Sequence, residues 1–392
     1  MALAVRRAAF LAALSVLLAA PAGAEGPIRI GIISSMSGPE GVLGREMVDG
    51  FNTAVREEGG KLGGVPVEIL TADDQSKPDI GRQVADKMVQ TDHVSFITGT
   101  IFSNVLLAIV RPVTSQGVFL LSASAGTSDL AGRNCNPDFF AIAFENATYE
   151  EAFGNYLNES GKTDIWYLAP NYSGAHDKAA GLKRTYKGQL KEVYTQFGQM
   201  DYAPQIAQLR EAHPQGVFAF YPGGMGVSFV KQFGASGLGS LIQLYSEFSL
   251  FDETVRPAVG EAALGGIAVT GWDESFDNAA NRRFVADFRA YWGRPATPYA
   301  AHSYDTARLL ASALAATGGD VRNRDAVRAA LAAAKFDSVR GHFRFNNNHY
   351  PIQDLWATEV VKTAQGTIGT KVLGKISADH KDSYAAQCPM KE

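Results

Sequence analysis

From Ile28 onward the chain alternates short apolar, β-branched runs with amphipathic stretches whose apolar residues recur at helical spacing. Ile28 to Ile33 reads as a buried strand, Arg45 to Glu58 as a helix, and Val65 to Ala72 as a second strand after a glycine-rich turn. The rhythm continues through a helix at Pro78 to Thr91, a strand at Val94 to Thr98, a helix at Asn104 to Gln116 and a strand at Val118 to Ser122. Repeated β-α-β units of this kind predict a parallel sheet covered by helices on both faces.

A second series follows the loop Ala123 to Asp138. Its strands are expected near Phe139 to Phe144, Asp164 to Ala169, Val193 to Phe197, Val217 to Tyr221 and Leu241 to Tyr245. Helical stretches then run from Asn281 to Trp292, Ala300 to Thr317 and Arg324 to Ala333, and Leu355 to Lys362 with Thr370 to Ile376 predicts a terminal hairpin. The fold class is α/β, with two doubly wound parallel-sheet lobes. No low-complexity linker separates the halves, so several ordered crossovers are expected to join them as a hinge. The expected partition is 27–144 with 272–347 for one lobe, 145–271 with 348–380 for the other, and 381–392 as a tail. In open parallel sheets ligands gather beyond the carboxyl ends of the strands, which directs attention to the strand-to-helix loops and to a cleft between the lobes.

The segment before Ile28 breaks the pattern. Arg6 and Arg7 precede an apolar run from Ala8 to Ala20 and the small residues Ala22-Gly23-Ala24, which reads as a secretory signal peptide cut after Ala24. The run is short of the roughly 20 residues that span a bilayer. No cysteine follows it to carry a lipid, so a soluble periplasmic product is expected. The formal charge of −4, from 36 basic and 40 acidic residues, becomes two units more negative once Arg6 and Arg7 leave. No basic field exists to attract nucleic acid.

Export bears on the two cysteines, Cys135 and Cys388. A disulfide that staples the tail to the first half and a pair of free thiols both remain open. Two isolated cysteines are too few for a paired-cysteine zinc site and the seven histidines do not fall at ligand spacing, so no metal or cofactor is expected.

The loops carry the remaining chemistry. After the first strand, Ser34 to Gly44 is small and polar but lacks the G-x-G-x-x-G spacing of a dinucleotide site. Gly99 to Asn104 and Ala123 to Asp129 offer hydroxyls and amides at helix starts, where a carboxylate is favoured, although helix capping alone also explains serine and threonine there. Ser122-Ala123-Ser124-Ala125-Gly126 approaches the G-x-S-x-G elbow of hydrolases, with Ser122 in place of the first glycine and no immediate helix. Nothing resembles a catalytic apparatus. In the second series, the loops after Ala169, Phe220 and Tyr245 supply Tyr172, Tyr221 and Phe248 as aromatic walls and Glu247 as one acid.

At these residues the chain resembles the leucine/isoleucine/valine binding proteins of ABC importers, within the type I periplasmic family. The resemblance rests on Ile30 to Ile33 with Met36-Ser37-Gly38-Pro39, on Gly50-Phe51, on Asp73-Asp74 and on Pro298 to Ala307. It spans almost all of the chain after residue 24. It implies that Ser103 and the amides and hydroxyl of Ala125, Gly126 and Thr127 hold a ligand carboxylate. Tyr172 would supply a wall, Glu247 would receive an amino group and Tyr299 would close the side-chain pocket, with Leu43, Phe102 and Tyr221 as further candidate contacts. Leu43 and Gly223-Gly224 depart from the amino-acid binders, which tend to carry aromatic residues there. These departures, with Asn134 to Phe140 and the C-terminal cysteine, look closer to the branch that takes up aromatic carboxylates.

The expected function is therefore that of a monomeric, non-catalytic solute-binding protein delivering a hydrophobic amino acid or aromatic acid to a membrane permease. Glu247 favours an amino acid, because a buried acid without a cation would be desolvated without compensation; the roomier loops favour a ring. A ligand-sensing periplasmic subunit is the alternative, with an enzyme third.

Overall fold

A computed structural model describes residues 26–390, so the expected signal peptide lies outside the described residues. The first sheet contains β1 (Ile28–Ser34), β2 (Lys61–Leu62), β3 (Val65–Asp73), β4 (Phe96–Gly99), β5 (Phe119–Ser122) and β6 (Phe139–Ala141) in the order β2-β3-β1-β4-β5-β6. The second contains β7 (Asp164–Pro170), β8 (Gln189–Thr195), β9 (Gly216–Ala219), β10 (Gln243–Glu247), β11 (Ile267–Thr270), β12 (Arg344–Phe345), β13 (Pro351–Lys362) and β14 (Ile368–His380). Its path is β12-β13-β11-β10-β9-β7-β8, with β14 paired antiparallel to β13. Strands β4, β5 and β9 are buried at every residue, as strands covered on both faces must be, which is why they read as unbroken apolar runs.

Helices α1 (Gly41–Glu57), α2 (Pro78–Gln90), α3 (Ser103–Thr114) and α4 (Ser128–Ala131) follow strands of the first sheet. Helices α5 (Thr148–Glu159), α6 (Ser173–Thr185), α7 (Ala203–Ala212), α8 (Gly224–Ala235) and α9 (Arg256–Val259) serve the second. The chain then returns to the first lobe with α10 (Ala279–Trp292), α11 (Pro298–Thr317) and α12 (Arg324–Ala333). Thr297 caps α11, its hydroxyl accepting from the Ala300 amide, and Pro298 fits the first turn. Helix α11 lies so close to α1 that a Cβ on Gly50 would meet the Ala300 carbonyl at 2.1 Å, so only glycine fits at that crossing.

Three details depart from the pattern. Strand β6, read at the head of the second series although the expected partition kept 27–144 in the first lobe, pairs parallel with β5 and closes the first sheet. Its apolar run continues into the crossover Ile142 to Ala147, which hid the boundary. Strand β11 was not anticipated, being four residues between glycines, and the terminal hairpin is longer than expected at both strands.

The crossovers are tied together by Arg340. Its Nε pairs with Asp305 at 3.0 Å, and its Nη1 donates to the Ala143 carbonyl at 3.0 Å and to Gln353 Oε1 at 2.8 Å. Cys135 and Cys388 form a disulfide with Cα atoms 5.6 Å apart. Among the described residues no helix is long and apolar enough to cross a membrane.

Strand order locates the cleft. The connections reverse direction on either side of β1 and β4 in the first sheet and of β7 and β9 in the second, and loops beyond such switch points separate to leave a crevice. The loops after β4, β7 and β9 meet between the lobes.

Candidate functional site

Between the lobes these loops line a small, tightly closed cavity, about 340 Å³ of empty space with the open solvent at its mouth included. Phe102, Ser103, Ser124 and Ala125 form its first-lobe side, Phe144 and Asn146 come from the crossover, and Tyr299 comes from α11. The second lobe contributes Tyr172, Lys178, Phe220, Glu247 and Phe248. The rings pack edge to face around the space: Phe102 against Tyr172 at 5.9 Å, and Phe248 against Tyr299 at 5.4 Å. The lobes also meet directly, the Gly224 amide donating to the Pro39 carbonyl and the Ser128 amide to Asp177 Oδ2, each at 3.1 Å.

One end of the cavity is suited to an anion. Helix α3 begins at Ser103 behind Phe102, which has no side-chain oxygen to cap it, so the first amides of the helix stay available. Ser103 Oγ accepts a 2.9 Å hydrogen bond from the Asn146 side-chain amide, which leaves the hydroxyl hydrogen free to donate. Asn146 is itself held by Asp177 Oδ2 at 2.9 Å, so the serine is oriented from both lobes.

The second-lobe wall carries a buried charge cluster. Lys178 Nζ lies 3.2 Å from Glu150 Oε1 and 3.6 Å from Glu247 Oε2, between the faces of Phe144 and Phe220 at 5.0 and 4.9 Å. Burial raises the Glu150 carboxyl to about 7 against the opposing pull of Lys178. Burial also works against the Lys178 charge, but Glu150 and Glu247 outweigh it and hold the ammonium above its ordinary value.

Phe102, Ser103, Ala125, Tyr172, Glu247 and Tyr299, expected from the sequence, come together around the cavity. The others stand elsewhere. Tyr221 points away from it into the second-lobe core, 4.8 Å from Tyr202 and 5.1 Å from Phe229, because side chains alternate at the end of β9 and it is Phe220 that faces the cleft. Leu43 is fully buried near the Gly223 backbone, where the lobes touch beside the cavity. The Ala125 amide donates to the Thr100 carbonyl at 2.9 Å and the Gly126 amide to Asn146 Oδ1 at 3.1 Å, so neither is free for a ligand. A Cβ on Gly126 would sit 1.8 Å from the Phe144 carbonyl, so close packing accounts for that glycine. Thr127 caps α4, its hydroxyl accepting from the Asp129 amide.

Glu247, expected to receive an amino group, stands 3.6 Å from the ammonium of Lys178, a cation supplied by the protein. Lys178 was missed although its signal was present, since Ala175, Lys178, Ala179 and Leu182 share the buried stripe of α6 and a lysine there needs a buried partner. Asn146, Phe144 and Phe220 were missed because the crossover and the alternation of β9 decide where they point.

Two α/β lobes meeting around an aromatic-lined cavity define a solute-binding protein of the periplasmic type. The family described as periplasmic binding protein matches residues 27–366, and the chain belongs to it. A Leu/Ile/Val-binding protein homolog 6 of Brucella melitensis biotype 1 is 27% identical over 367 residues, covering 90% of this chain and 93% of the relative. A solute binding protein of an ABC transporter from R. palustris, solved in complex with benzoate, superposes with a TM-score of 0.88 at 28% identity over 93% of this chain and all of that one. Another, from Rhodopseudomonas palustris BisB5 in complex with 3,4-dihydroxy benzoic acid, gives 0.84 at 25% identity over 92% of this chain and 99% of the other.

Proposed function

We propose that the protein is the solute-capturing subunit of an ABC importer and that its solute is a small aromatic carboxylate. The observation that carries this reading is the cavity itself, walled by the rings of Phe102, Phe144, Tyr172, Phe220, Phe248 and Tyr299 and ending at the uncapped start of α3. Flat aromatic walls favour a ring, and the α3 amides with the Ser103 hydroxyl favour a carboxylate. Lys178 offers little net attraction for that carboxylate, because two acids flank it. The benzoate and dihydroxybenzoate complexes of the two similar proteins support the same solute class.

In this reading the chain is exported with residues 1–24 removed and acts as a monomer. Its lobes are 27–144 with 272–347 and 145–271 with 348–380, and 381–392 forms the tail. The first lobe takes the carboxylate at Ser103; the second then turns about the crossovers and adds Tyr172 and Phe220, excluding water. A solute that contacts both lobes shifts the population toward the closed form, which a permease would read from the two outer faces.

A thermal-shift panel of benzoate, 4-hydroxybenzoate, leucine and valine checks this. A ligand that binds only the folded state raises the melting temperature by mass action. The aromatic acids should raise it and the aliphatic amino acids should not; the reverse order would overturn the solute class.

A further inference from the structure

We propose that Lys178 sets the selectivity of this cavity, its tethered ammonium filling the place beside Glu247 that a ligand's ammonium would need, so that the site rejects amino acids in favour of carboxylates lacking an amino group. The inference rests on the proposed solute-binding role of the cavity and goes further by naming the residue that decides between two ligand classes.

Among the described residues that line the cavity, Glu247 is the one carboxylate. A ligand ammonium entering this space would have to be matched by it, since an unpaired charge in a site this enclosed is costly. Glu247 already faces a cation, Lys178 Nζ at 3.6 Å from its Oε2, an oxygen that accepts no hydrogen bond. Lys178, Glu150 and Glu247 are 2%, 0% and 1% exposed, so their charges act on one another with little screening by water. The lysine Nζ approaches Glu150 at 3.2 Å and Glu247 at 3.6 Å, and Phe144 and Phe220 complete a cage around it. The cage therefore holds the protein's own cation.

One cost faces an amino acid here. To reach Glu247 its ammonium would lie beside the like charge of Lys178, which stays held by its nearer partner Glu150 at 3.2 Å. A simple carboxylate brings no second cation and does not meet that cost. The buried lysine thus acts as a repulsive element against the wrong ligand class.

The lysine enters from α6, whose start is fixed by the β7 loop that also presents Tyr172. Closing the second lobe brings both to the ligand together, so discrimination would be exerted as the cleft shuts.

The test compares ligand pairs that differ only in the amino group: phenylacetate with phenylglycine, and 4-methylpentanoate with leucine. Dissociation constants are measured by calorimetry for the native protein, for Lys178→Met, and for Lys178→Met combined with Glu150→Gln. The double variant avoids leaving two facing acids without a cation and covers the case in which the single variant fails to fold.

The native protein should prefer the amino-free member of each pair. In either folded variant the ratio within a pair should move toward the amino acid by at least about tenfold. A merely structural role for Lys178 would weaken both members alike and leave the ratio unchanged, which would overturn the inference. Equal binding of both members by the native protein would overturn it as well. Native protein that binds no carboxylate of either kind would instead overturn the proposed solute class, and the inference with it.

Discussion

At the residue scale, the site separates side chains that touch solute from those that only shape its surroundings. Ser103 has a hydroxyl hydrogen free for an anion and an oxygen already oriented by Asn146. Ser103→Ala should therefore weaken carboxylate binding by about 1.5–3 kcal/mol in calorimetry and, because one Asn146 amide hydrogen loses its acceptor, lower the stability of the unliganded protein by about 1 kcal/mol. Thr127 is the counter-case, because its hydroxyl caps α4. Thr127→Ala should lower stability by about 0.5–1 kcal/mol in denaturant titration, with little effect on affinity. The contrast marks what was legible. Hydroxyl-rich loops at helix starts were visible in the sequence, but which of their donors are already used depends on carbonyls such as those of Thr100 and on Asn146, brought in from distant segments. Lys178 beside Glu247 was hidden for the same reason, since the two lie on different elements of the second lobe.

At the scale of elements, the strands and helices of both sheets followed from their periodicity, while the connections between lobes did not. Strand β6 and strand β11 flank crossovers, and there the local pattern is overridden by pairing with strands already in place. Arg340 is the clearest product of that tertiary assembly, joining Asp305 in α11, the Ala143 carbonyl in one crossover and Gln353 in β13. Replacing it with alanine strands a buried acid, and Arg340→Ala should cost about 3–5 kcal/mol of unfolding free energy in a denaturant titration. The disulfide belongs to the same scale. It joins Cys135, in the loop before β6, to the tail, where Asp382 also accepts from Asn348 at 3.1 Å. Replacing both cysteines with serine should cost about 2–5 kcal/mol of stability and leave solute affinity unchanged, because neither sulfur lines the cavity.

For the whole molecule, the two-lobe plan was readable because repeated β-α-β units permit few other arrangements, whereas the contents of the cleft emerge only when the lobes meet. The same meeting stores an electrostatic cost. Burial raises the carboxyls of Glu46, Glu150 and Glu253 from 4.5 to about 7, with Arg294, Lys178 and Arg256 respectively opposing it. As pH rises through that window the unfolded chain releases these protons before the folded one does, so the three groups favour folding less at each step. These three groups should accordingly contribute a fall in melting temperature between about pH 5 and about pH 8, against the rise contributed by His302 and His349, whose imidazoles burial holds below their ordinary value. Glu46→Gln, which leaves Arg294 its contact with Asp49 at 2.6 Å, should flatten that slope, and an unchanged slope would exclude Glu46 as a contributor. The central claim is that the interlobe cavity holds an aromatic acid with its carboxylate at the start of α3. A crystal structure of the protein grown with benzoate tests it most directly. The ring is expected between Phe102, Tyr172 and Phe220, with a carboxylate oxygen in hydrogen-bonding reach of Ser103 Oγ. Benzoate bound outside this cavity, or inside it with the carboxylate turned toward Lys178, would overturn that placement.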